Sequence, residues 1–176
     1  MTHQTISNSD IDLSKFKYEY QDTLTRKLDK LSGDFTQSVI NQIVLWKVNR
    51  YAEIEKGTLH LLNKLNKNKR KLDVEFTRQI LQRLLAIKGI GLPMASTILR
   101  FKNPNVYQII DQRAYRIINK QPLKIPFNVD AQIELYLDYL SHLKVVCKDK
   151  GIRFCMADRI LYIADKDINR KVTINY

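Results

Sequence analysis

Two of the chain's five glycines stand two residues apart in Leu84-Leu85-Ala86-Ile87-Lys88-Gly89-Ile90-Gly91-Leu92-Pro93-Met94-Ala95-Ser96-Thr97-Ile98-Leu99, between two apolar stretches of helical spacing. Glycine turns with positive φ and has no Cβ to hold a ligand away. The amides of Gly89 and Gly91, with the start of the following helix, can therefore point at one oxyanion. Lys88 adds a cation inside the turn. Downstream, Asp111 precedes an apolar-periodic stretch, Gln112 to Asn119, where a carboxylate accepts a backbone N–H at a helix start and is also available for acid–base or charge-stabilising chemistry.

The whole-chain charge agrees with an anionic ligand. Thirty Lys and Arg against 18 Asp and Glu in 176 residues give a formal net charge of +12, the footprint of a protein that meets a polyanion. Other classes are disfavoured. His3, His60 and His142 have no ligand spacing, and two cysteines, Cys147 and Cys155, cannot make a four-thiolate metal site or a disulfide framework, so both are expected as thiols. The first residues lack the apolar run of a signal peptide, and no stretch of about 18 apolar residues occurs, so a soluble, cytoplasmic protein without membrane association is expected.

The glycine turn and Asp111 together resemble the helix-hairpin-helix DNA glycosylase superfamily. In that family a Leu-Pro-Gly-Val-Gly hairpin precedes a Thr-Ala-x-x-Val/Ile-Leu helix, and a Val-Asp-Thr-His-Val-x-Arg segment follows at a fixed distance. Here Ile110-Asp111-Gln112-Arg113-Ala114-Tyr115-Arg116 falls at that distance, 111 − 93 = 18 positions after Pro93, and the likeness covers Leu81 to Ile118. The resemblance implies an all-α, two-lobed helical fold. Residues 34–104 would form the lobe with the hairpin (about 74–101), while 13–33 and 105–176 would form the second, with Asp111 facing the cleft.

By the same resemblance, the amides of Gly89, Gly91 and Met94 would bind DNA phosphate, with Lys88 and Arg116 as further contacts. The carbonyls of Leu85, Ile87 and Ile90 would hold a monovalent cation. Asp111 would be the catalytic carboxylate, stabilising positive charge on a deoxyribose and orienting water as an N-glycosidic bond breaks. Bifunctional members carry a lysine where Pro93 stands, so a monofunctional enzyme acting on double-stranded DNA is expected, as a monomer with no cofactor and no iron–sulfur cluster. The rival expectation is a non-catalytic DNA-binding module serving a partner, and RNA binding is a third. Arg116 fits an inter-helix salt bridge as well as a phosphate contact, and Gln112-Arg113 replace the family's Thr-His.

Several elements must position these residues. Helices are expected over about 35–50 with Asp34 as cap, around Leu59 to Leu65, from Asp73 or Thr77 to the glycine turn, from Pro93 to Phe101, from Asp111, through Ile133 to Leu143 with a stop at Gly151, and over 154–165. Residues 121–128, with Pro122 and Pro126, read as a linker, and 171–176 as a short extended tail. Trp46, on the edge of its apolar stripe, fits core packing better than base stacking, and Tyr136 and Tyr139 fit core or interface packing. The run Lys64, Lys67, Lys69, Arg70, Lys71 is either a solvated face or a track for a nucleic-acid backbone.

Overall fold

The computed structural model describes residues 21–32, 34–48 and 51–172, and within them the chain is helical without a strand. The expected loose arm at 2–12, the packing roles of Phe16, Tyr18 and Tyr20, the last residues of the tail and the end of the helix at 49–50 lie outside the described residues. Among the described residues no helix is long and apolar enough to cross a membrane.

The fold divides into two compact units, 1–51 and 52–176. In the first, α1 (Asp22–Asp29) and α2 (Gln37–Lys47) pair. Thr36, not Asp34, caps α2, its Oγ1 accepting the Val39 amide at 3.3 Å; Asp34 stands too early to reach the first free N–H groups. Trp46 is half-buried, and its Nε1 donates to Thr25 Oγ1 at 2.9 Å, which makes it a packing residue of this pair.

The second unit contains α3 (Lys56–Asn63), α4 (Val74–Leu85), α5 (Leu92–Lys102), α6 (Gln112–Asn119), α7 (Val129–Asp149) and α8 (Ala157–Ile168), with a 3-10 turn at Phe154–Met156. Local signals account for most boundaries. Asp73 accepts the Phe76 amide at the start of α4, and Asn128 accepts the Ala131 amide at the start of α7. Gly151, at φ +66°, closes α7 by letting the Ile152 amide donate back to the Cys147 carbonyl at 2.9 Å.

Apolar faces at helical spacing supply the core: Ile80, Leu81 and Leu84 of α4, Leu92, Ala95 and Leu99 of α5, and Ile133, Tyr136, Leu140 and Leu143 of α7. Fully burying each large aliphatic side chain contributes about 1.5–3 kcal/mol. Cys147 is buried and Cys155 half-buried, both as free thiols.

The division expected after residue 104 is not where the fold parts. α4 packs directly on α7, and Leu84, Leu92 and Leu99 share one core with Tyr107, Ile133 and Tyr136. The glycine turn and residues 105–172 therefore belong to the same unit, and the boundary lies at 51/52.

Candidate functional site

α4 ends at Leu85 and α5 begins at Leu92, so the turn between them occupies the expected residues. It is closed by two short bonds, Ile87 amide to Leu84 carbonyl at 3.1 Å and Ile90 amide to Ile87 carbonyl at 3.0 Å. Gly89 lies at φ +89°, a conformation that side-chain-bearing residues rarely adopt. Gly91, the N-cap of α5, differs: its φ of −92° suits any residue, and a Cβ there would meet nothing nearer than Pro93 Cδ at 3.9 Å. Neither backbone nor packing demands glycine at 91. What its missing side chain leaves open is the approach to the surrounding amides.

Those amides are unspent. Among the described residues, the N–H groups of Lys88, Gly89, Gly91, Leu92 and Met94 donate no hydrogen bond, and the last two are orphan donors of the first turn of α5. Pro93, the second residue of α5, has no N–H to lose. Lys88, Gly89, Gly91 and Met94 are exposed, and Lys88 makes no ion pair among the described residues. On the other side of the turn the carbonyls of Leu85 and Ile90 accept nothing, while that of Ile87 uses one lone pair, so the three can still offer oxygen ligands to a hard cation. Among the described residues no cluster of three or more His, Cys, Asp or Glu side chains is arranged for a metal ion.

Asp111 is the N-cap of α6, its Oδ1 accepting the Ala114 amide at 2.7 Å. It is half-buried. Burial pushes its carboxyl above the usual carboxylate range, against the pull of the Ala114 and Arg113 amides; Asp158 adds to the rise and the Arg113 charge opposes it. It forms no salt bridge among the described residues.

The segment leading into Asp111 is held one backbone group at a time. Tyr136 donates its hydroxyl to the Gln108 carbonyl and Tyr139 to the Ile109 carbonyl, each at 2.9 Å. The Ile110 amide donates to Ser96 Oγ at 3.2 Å, and Ser96 Oγ donates to the Pro93 carbonyl at 2.8 Å. Burial raises both tyrosines well above their usual pKa, so they remain protonated donors. Ser96, fully buried, thus fastens the first turn of α5 to the residue before Asp111. Sequence reasoning gave Ser96 no role; its one signal was a small polar residue on the apolar face of α5.

Arg116 is tied to α8. Its Nε and Nη2 grip both oxygens of Asp165 on α8, at 2.6 and 2.9 Å, and it also reaches the Val172 carbonyl, so of its two expected roles the structure shows the inter-helix salt bridge. Arg113 joins the same carboxylate at 3.1 Å and lies over the Tyr162 ring. Gln112 turns to the linker, exchanging two hydrogen bonds with the Leu123 backbone. Gln112 and Arg113 are thus used for the linker and α8. Compared with known proteins, the chain matches no protein-family model, no curated protein and no solved structure.

Proposed function

We propose that the chain binds double-stranded DNA through the α4–α5 turn and is a monofunctional DNA glycosylase, acting as a monomer, in which Asp111 assists hydrolytic release of a flipped base. The observation that carries this is the linkage through Ser96: a turn with unspent amides and an open glycine is bolted, through the Pro93 carbonyl and the Ile110 amide, to a half-buried carboxylate. The turn positions a phosphate without reading sequence. The carboxylate then stabilises the cationic sugar while water adds to the anomeric carbon and gives up a proton; the base leaves with the bonding electrons and takes a proton from solvent, and an abasic site remains. A raised carboxyl pKa suits a group that takes a proton from water. The unit at 52–176 carries both the turn and the carboxylate. A monovalent cation on the carbonyls of Leu85, Ile87 and Ile90 would add positive charge beside the bound phosphate.

The second reading is a DNA-binding module without catalysis. It is favoured by the use of Asp111 as a helix cap, a role that needs no chemistry. One experiment separates the two: base release from a panel of damaged and mismatched duplexes, followed by alkali to cut abasic sites, for the native chain and Asp111→Asn. Asparagine caps a helix as well as aspartate does, so the variant keeps its fold. Alkali-dependent breaks that fall at least about 100-fold in the variant, with duplex binding kept, are expected. Duplex binding with no release from any substrate leaves the module, and no duplex binding at all removes both readings.

A further inference from the structure

The loop between α3 and α4 carries Lys64, Lys67, Lys69, Arg70 and Lys71, with no acid among residues 64–71 and one, Asp73, at its end as the N-cap of α4; all five cations are exposed, and none pairs with a carboxylate among the described residues. A run of lysines is ordinarily a solvated, mobile face. This one is fastened. Asn103, 2% exposed at the C-terminal end of α5, donates its side-chain amide to the carbonyls of Asn66 and Lys69 at 2.8 and 3.0 Å. Asn105 donates in the same way to the Lys67 carbonyl at 3.2 Å. Within the loop, the Lys69 amide closes a turn on the Asn66 carbonyl and the Asn68 amide donates to Asn66 Oδ1.

These bonds draw three carbonyls, the negative ends of the backbone, in toward the protein. The cationic side chains remain outside, and the amides of Lys67, Arg70 and Lys71 donate to nothing among the described residues. The recess under the loop, between Lys64, Lys69, Lys71 and Asn103, has only about 20 Å³, room for a water molecule and not for a nucleobase. A ligand here lies across the loop. Five cations on a pinned backbone fit a chain of phosphates, and pinning in advance spares the cost of ordering the loop on binding.

We propose that the 64–71 loop is a second contact with the backbone of the duplex held by the α4–α5 turn, a placement that rests on the DNA-binding reading above. α5 is the spacer: the turn forms its N-terminal end and Asn103 its C-terminal cap, about 16 Å apart for an 11-residue helix. Along a duplex axis that distance spans about five base pairs. The turn supplies amide donors and the single cation of Lys88, and the loop supplies most of the charges that displace counterions.

The test is the salt dependence of duplex binding by the full chain, measured for the native protein, for Lys67→Ala/Lys69→Ala/Arg70→Ala and for Gly91→Ala. A control, Lys148→Ala/Lys150→Ala/Arg153→Ala, removes equal charge from exposed positions elsewhere. The loop variant is expected to flatten the slope of log affinity against log salt by about 2 to 3, at about 0.9 for each phosphate it no longer neutralises. Gly91→Ala is expected to weaken binding several-fold with its slope kept. An unchanged slope in the loop variant, or an equal flattening in the control, overturns the loop assignment while the turn's role stands on Gly91→Ala. No duplex binding by the native chain, or displacement of the duplex by equimolar RNA, overturns both.

Discussion

Asp165 meets the guanidinium groups of Arg113 and Arg116, whereas Asp111, at the start of the same α6 that carries both arginines, is held by backbone amides and makes no ion pair among the described residues. Burial works against the charge of both. For Asp165, the hydrogen bonds from Arg116, Asn169 and Arg113 outweigh that burial and hold the carboxyl below its ordinary value; for Asp111 burial prevails and the carboxyl rises. The first carboxylate is neutralised and fixes α8 on α6. The second keeps its proton affinity, and that is the property a reaction can use. Asp165 belongs to the architecture, and Asp111 is the carboxylate that the proposed reaction would use.

Removing Asp165 is the harshest way to test this contrast. Asp165→Ala removes the buried carboxylate that two guanidinium groups, 12% and 23% exposed, share, and should cost about 3 to 5 kcal/mol of stability in chemical denaturation. A cost no larger than that of Asp111→Asn would erase the distinction. Ser96→Ala comes next. It leaves the buried Ile110 amide without an acceptor and should cost about 1 to 3 kcal/mol. If Ser96 also positions Asp111, base release should fall under conditions in which the variant is still fully folded; an unchanged rate would leave Ser96 purely structural.

The smallest effect, and the one that reads both carboxylates, is pH. Asp165 is depressed in the fold, so its stabilisation is complete above the ordinary aspartate value and is lost as pH falls through the lower, folded one. Asp111 is raised, so its ionisation, and with it base release, should appear only as pH climbs through a value above the ordinary one. Acid titrations of stability and of base release should therefore place their midpoints on opposite sides of that value. Coincident midpoints would show that loss of fold, and not Asp111, governs the acid limb of release.

Most local signals were legible in the sequence, Asp34 as the cap of α2 being the exception, and their success has a common cause. Asp73 and Asp111 as helix caps, the Gly89–Gly91 turn and the stop at Gly151 each depend on residues within about five positions, where chain stereochemistry decides. What escaped are bonds between distant residues. Ser96 reaches Ile110 across 14 positions, Tyr136 reaches Gln108 across 28, and Asn103 reaches Asn66 across 37. Periodicity marked Tyr136 and Tyr139 as packing residues but carried nothing about their hydroxyls. The Arg116 pairing with Asp165 and the boundary at 51/52 are of the same kind, because both follow from which helix faces meet.

Asn103 ties the basic loop to the thermodynamics of the core. Its side-chain amide is buried, so releasing the carbonyls of Asn66 and Lys69 would strand two donors away from water unless the end of α5 opened as well. The loop therefore cannot fray one residue at a time as an ordinary surface segment does. Its opening is expected to be coupled to that of the end of α5, which slow amide exchange in both segments together would show.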